Sequence, residues 1–163
     1  MRKVRAFIVA FALGLAAVCL VSAPISAADA DVPIKGTSVG TVRFDTATGA
    51  ITVDKSGVSS QLGKYTVHLE GTGTFSDAGT FSGSGTATFV AANGDTLTGT
   101  YTATGNDSQT TSLITFTGGT GRFANATGKM TMICDRGPGR PEGTVLVFNV
   151  NCTHDGTISK VKV

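Results

Sequence analysis

Three features of this chain predict an all-β fold of about eight short strands. Apolar residues recur at every second position, no amphipathic helical stripe follows the first 28 residues, and glycine-rich turns separate the runs. A two-sheet sandwich and a closed barrel both fit that pattern. Closure removes exposed strand edges, and an eight-stranded barrel leaves room for one small ligand.

The alternation is explicit along the chain. Val42 and Phe44 alternate with Thr41 and Arg43, and Ile51 and Val53 alternate with Thr52 and Asp54. Thr46-Ala47-Thr48-Gly49 reads as the turn between them. Tyr65, Val67 and Leu69 alternate with Lys64, Thr66, His68 and Glu70. Segments 85–91 and 96–103 flank Ala92-Asn93-Gly94-Asp95, and Asn-Gly supplies the positive φ angles of a tight hairpin. Gly99 shares a face with Leu97, Tyr101 and Ala103, where a glycine marks a bend or a close backbone approach. The run 144–150 is apolar on both faces up to Phe148, so its outer face needs cover, either from the chain itself or from another subunit. The segment after it, through Ile158 and Val161, is expected to add a short closing strand.

The N-terminus has the order of a secretory signal. Arg2, Lys3 and Arg5 precede an apolar run over 6–21, and Ser22, Ala23, Ser26, Ala27 and Ala28 follow. Residues 1–28 are read as a signal peptide, with a signal helix, cleaved after Ala28 or Ala30. The apolar run is shorter than the ~18 residues of a spanning helix, so no membrane span is expected after cleavage. Cys19 follows Val18 rather than a small residue and precedes the small-residue region, which argues against lipidation. Residues 29–163 then form one domain of 135 residues. Three of the 13 basic residues leave with the signal, so ten remain against 11 acids, a formal charge of −1. No basic cluster marks a nucleic-acid surface. The expected location is secreted or periplasmic, where Cys134 and Cys152 meet an oxidising compartment and a bridge is the default. A hairpin turning at Gly137-Pro138-Gly139 would set Cys134 opposite about Val145 instead of Cys152. The bridge therefore requires a loop that folds back or a neighbouring strand.

The densest signal is Thr117-Gly118-Gly119-Thr120-Gly121-Arg122-Phe123, followed by Ala126 and Gly128. Gly119-x-Gly121-x-x-Ala124 mimics a dinucleotide fingerprint, but no helical stripe follows and no βαβ unit surrounds it. The loop instead reads as a turn between strands, with Gly118, Gly119, Gly121 and Gly128 shaping the backbone. Phe123 plugs a barrel end, and Arg122 braces loop carbonyls or binds an anion.

These residues resemble the Gly-Gly-Thr-Gly-Arg-Phe…Ala…Gly signature of the allene oxide cyclase and dirigent barrels, especially their small exported bacterial relatives. Ala91-Ala92-Asn93-Gly94-Asp95-Thr96-Leu97 and Leu62-Gly63-Lys64-Tyr65-Thr66 are similar to two further motifs of that group. The resemblance spans about residues 40–134. It implies a single antiparallel up-and-down β-barrel of about eight strands, calycin-like, and a homotrimer, with strand 144–150 as a contact surface. The polar residues that plant members use inside the barrel have no matching motif here, so activity does not carry over with the resemblance.

Among chemical candidates, His68 and Glu70 share a strand face and could form an acid–base pair, although Lys64 and Thr66 on that face point to water. Arg43 reads as another solvated residue. Tyr65, Tyr101, Met130 and Met132 fall on inward faces and would line an apolar pocket or fill a core. Two distant histidines do not make a metal site, no Gly-x-Ser-x-Gly elbow occurs, and no cofactor is expected. Asn106-Asp107-Ser108, Asn125-Ala126-Thr127 and Asn151-Cys152-Thr153 fit the glycosylation pattern by chance in a chain rich in Thr and Ser. Three function classes stay open. The first is an exported barrel holding a small hydrophobic molecule. The second is a cofactor-free cyclase or stereochemistry-steering protein. The third is a surface or structural protein presenting Thr-x-Thr runs, for which the irregular spacing argues against a solenoid ladder.

Overall fold

Residues 31–159 are described by a computed structural model. The signal peptide expected over 1–28, its helix, Cys19 and Val161 lie outside the described residues. The strands are β1 (Val32–Asp45), β2 (Ala50–Ser59), β3 (Gly63–Phe75), β4 (Phe81–Ala91), β5 (Thr96–Gly105), β6 (Gln109–Gly119), β7 (Gly128–Arg136), β8 (Arg140–Glu142) and β9 (Val145–Ile158). β1 to β7 and then β9 pair antiparallel in order, and β9 pairs back onto β1. The result is a closed eight-stranded barrel with the short β8 as an addition, and closure leaves the barrel strands no free edge.

Closure rests on the longest pairing. All of β1 runs beside all of β9, from Val32 opposite Ile158 to Asp45 opposite Val145. The chain to Ile158 is thus one continuous strand, not a strand followed by a separate short one. Val, Ile and Thr at alternating positions suit an extended backbone whose two faces meet different solvents. Along β2, for example, Ile51, Val53, Lys55 and Ser59 are buried, while Thr52, Asp54 and Ser56 are exposed. The register of β5 on β6 shifts between Thr98 and Gly99, so the bend expected at Gly99 is a β-bulge that leaves Thr117 without a partner.

The barrel has two unlike ends. One is closed by the β2–β3, β4–β5 and β6–β7 connections. Phe123 on a single 3-10 turn (Gly121–Phe123) is 0% exposed there, packed in the same core as Leu62, Leu97, Ile34 and Ile158. Arg122 Nη2 donates to the Gln61 carbonyl at 2.6 Å, and its guanidinium lies 4.8 Å from the Phe123 ring centre. Asp95, from the Asn-Gly hairpin, accepts the Arg122 backbone N–H at 3.1 Å and the Asn93 side-chain amide at 2.7 Å. Gly121 has φ +53°, and a Cβ there would collide with the Asp95 carboxylate. The loop is therefore a floor for the barrel, with Arg122 as its brace.

The cysteine geometry is resolved by β8. The hairpin turns at Gly143-Thr144, where β8 folds back on the start of β9, and not at Gly137-Pro138-Gly139. This frees β7 to pair with the later part of β9, which puts Cys134 directly opposite Cys152, and the two are bridged with Cα atoms 4.0 Å apart. The same addition explains the two-faced apolar run 144–150. Arg43 beside Val147 and Glu142 beside Val145 form an ion pair at 2.8 Å, spanning the outer face of β9, and Val147 is 2% exposed within the single chain.

Two measurements test this frame. Replacing Cys134 and Cys152 together by Ala removes a cross-link between residues 18 apart and is expected to cost about 3 kcal/mol in urea unfolding. Phe123→Ala empties the floor and is expected to cost about 3–5 kcal/mol in the same assay. A loss below about 1 kcal/mol for Phe123→Ala would show that the floor does not depend on the plug.

Candidate functional site

The alternation that builds the strands also carries polar groups into the lumen. Ser38 of β1, Lys55 of β2, Tyr65 of β3, Tyr101 of β5, Ser112 of β6 and His154 of β9 are all buried. Each large member faces a glycine on a neighbouring strand. Lys55 is opposite Gly40, Tyr65 opposite Gly57, Tyr101 opposite Gly85 and His154 opposite Gly36. A Cβ on Gly40 would stand 2.7 Å from the Lys55 Cγ, and one on Gly36 would stand 2.8 Å from the His154 ring. The glycines leave the space in which these side chains lie.

Lys55 is 7% exposed. Its Nζ reaches Met132 Sδ at 2.7 Å and the two bridge sulfurs, Cys134 Sγ and Cys152 Sγ, at 3.8 Å each. Among the described residues no acidic side chain is buried, and none pairs with Lys55. Burial without a counter-charge pushes the amine down to about 8. His154 is 5% exposed and is pushed down to about 4 by burial first and by Lys55 second, so its ring is neutral at pH 7. Its Nδ1 lies 3.4 Å from the Tyr65 hydroxyl, and its Nε2 has no partner. Burial pushes both Tyr65 and Tyr101 up, keeping them as phenols. The Tyr101 hydroxyl and the Ser38 hydroxyl are buried without hydrogen-bond partners.

A cavity of about 60 Å³ lies beside this cluster. Lys55, Tyr101, Ser112 and Cys134 line its polar side, and Val53, Leu69, Ala103 and Val150 its apolar side. It holds a few waters' volume. Above it, Phe44, Phe75 and Phe81 form an aromatic collar with ring centres 5.1–6.4 Å apart. Arg136 lies across the collar, its guanidinium 5.5 Å from the Phe75 ring centre and 5.0 Å from that of Phe148. A recess of about 1010 Å³ opens outside, and it shares Phe44, Phe75, Arg136 and Phe148 with the inner cavity. The inner cavity and the outer recess thus adjoin at the aromatic collar, at the end opposite the Phe123 floor.

The sequence-derived candidates divide. Tyr101 lines the cavity, Met132 contacts Lys55, Tyr65 contacts His154, and Met130 is core packing opposite Gly156. His68 and Glu70 are exposed on the outer surface, where His68 Nδ1 sits 2.7 Å from Asp54. They are remote from the lumen. The Thr-x-Thr runs do align across strands, with Thr86 opposite Thr100 and Thr100 opposite Thr115 on the outer wall. Lys55, His154 and Arg136 were not singled out from the sequence. The signal was present: extending the phase of Ile51 and Val53 reaches Lys55, and extending that of Phe148 and Val150 reaches Cys152 and His154.

Among the described residues no cluster of His, Cys, Asp and Glu could hold a metal ion, and no helix is long and apolar enough to cross a membrane. Compared with family models, curated proteins and solved structures, the chain matches none.

The buried bases give stability a defined pH dependence. Below pH 8 Lys55 is protonated both folded and unfolded, and its burial is a constant cost. Between 8 and 10.5 only the unfolded chain keeps the proton, so that cost fades as pH rises. Lys55→Met is therefore expected to stabilise the barrel by about 3 kcal/mol at pH 7, with the gain shrinking above pH 8. His154 acts on the acid side: as pH falls from 6.5 to 4 the unfolded chain gains a proton that the folded ring refuses, and stability drops. His154→Leu is expected to flatten that limb of a urea-midpoint titration, and an unchanged limb would contradict the buried neutral ring.

Proposed function

We propose that this protein is an exported barrel that binds a small, mostly apolar molecule through its aromatic end. The observation that carries this reading is the unfilled space beside Lys55, lined mainly by apolar side chains and reached through the Phe44–Phe75–Phe81 collar. The rest of the lumen is filled by Phe89, Phe116, Ile114, Met130 and Met132, so the space is local. At about 60 Å³ it takes only the tip of a ligand, whose remainder would lie in the outer recess. Export is supported by the basic, apolar, small-residue order of residues 1–28 and by the Cys134–Cys152 bridge.

A second reading, a cofactor-free cyclase or isomerase, is favoured by one feature. Lys55, Tyr65, Tyr101 and His154 gather unpaired or weakly paired polar atoms in a buried lumen, where such groups act strongly on a confined intermediate.

Displacement of an environment-sensitive apolar dye tests the binding reading. Medium-chain alcohols such as hexanol are expected to compete for the wild-type barrel. Ala103→Leu, which fills the cavity from β5, is expected to weaken that competition by about tenfold or more. Equal competition in wild type and Ala103→Leu, with both folded by circular dichroism, would remove the cavity as the binding site.

A further inference from the structure

We propose that Lys55 is a reactive amine that captures a small aliphatic aldehyde as a reversible imine at the base of the aromatic channel. The inference rests on the apolar-ligand reading and gives it a functional group. Three observations converge on it. Lys55 lines the cavity and is nine-tenths buried, yet it meets only sulfur atoms. Tyr101 on β5 and Arg136 on β7 line the same cavity, and the buried His154 on β9 lies close enough to feel the charge on Lys55, with no carboxylate among them. The approach to it is lined by phenylalanines, which suit an alkyl chain.

An amine used this way must be unprotonated, and desolvation by burial favours that form. Burial holds the amine at about 8, so a useful fraction is neutral near physiological pH. No carboxylate holds this ammonium in place, so its burial is an uncompensated cost.

The step balances without a cofactor. The Nζ lone pair attacks the carbonyl carbon, a C–N bond forms, and the carbonyl π pair moves to oxygen. A proton passes from nitrogen to that oxygen to give a carbinolamine. The nitrogen lone pair then forms the C=N bond as the C–O bond breaks, the remaining nitrogen proton passes to the departing hydroxyl, water leaves, and an imine remains. One amine and one aldehyde become one imine and one water, with no change of oxidation state. Tyr101 lines the same cavity with a buried, unpartnered hydroxyl, which makes it a candidate to hydrogen-bond the carbinolamine oxygen.

The test uses hexanal with cyanoborohydride, which reduces any imine to a stable secondary amine. Protein produced from the full chain is labelled across a pH series and mapped by peptide mass spectrometry. Lys35, Lys64 and Lys129 on the outer surface serve as internal controls. Label at Lys55 is expected to exceed that at each control by about tenfold near pH 7.5, to rise with pH with a midpoint near 8, and to fall when hexanol is added. Tyr101→Phe is expected to slow labelling of Lys55 several-fold and to leave labelling of the three surface lysines unchanged. Labelling of Lys55 no faster than the controls overturns the imine. So does protection by hexanoate without any hexanal adduct, which would make Lys55 an anion site. If hexanol still displaces the dye in either case, the aldehyde inference fails alone; if hexanol displaces nothing, the apolar-ligand reading fails with it.

Discussion

The narrow lumen of an eight-stranded barrel is the constraint on which the rest of this structure depends. Eight strands enclose an interior just wide enough for side chains to fill it. Large inward residues on adjacent strands would collide unless one of each pair were small. This chain solves the problem with glycine. Gly40, Gly57, Gly85, Gly36 and Gly156 stand opposite Lys55, Tyr65, Tyr101, His154 and Met130. The glycines weaken strand propensity, and closure offsets that by pairing every barrel strand on both sides. The lumen is thereby packed at fixed points and left open at one.

The position of the opening follows from how the two ends are built. At the closed end, three stretches distant in sequence meet. Arg122 of the Gly-rich loop bonds Gln61 beside Leu62, and Asp95 of the Asn-Gly hairpin bonds Arg122 and limits the space over Gly121. Those hydrogen bonds hold Phe123 in the lumen as a floor. The other end has no comparable plug. Its phenylalanines stack on one another and on Arg136, leaving an aromatic collar above a small space. Of the two ends, only this one has unfilled space next to the lumen, and Lys55 lines that space.

Lys55 and His154 are costly residues for such an interior, Lys55 because its charge has no counter-ion and His154 because its Nε2 has no hydrogen-bond partner. Evolution of stability alone would favour apolar replacements there. The buried amine lies against a disulfide and a thioether, and the cavity beside it is where a small molecule could reach it.

The strand periods, the turns at Thr46-Ala47-Thr48-Gly49 and Asn93-Gly94, the bend at Gly99 and the floor role of Phe123 were legible in the sequence. Each is set by residues adjacent to one another, through period-2 alternation or backbone φ. Even the inward phase of Lys55 and His154 was written there, although polarity masked it. The sequence alone also determined that Cys134 and Cys152 were available to pair. Only the tertiary structure decided that they do, because the β8 hairpin at Gly143 resets the register of β7 on β9. It alone decided that His68 and Glu70 face water and that the lumen keeps a space beside Lys55. Those outcomes depend on which strands become neighbours and how much volume their side chains leave. Neither quantity exists until the barrel closes.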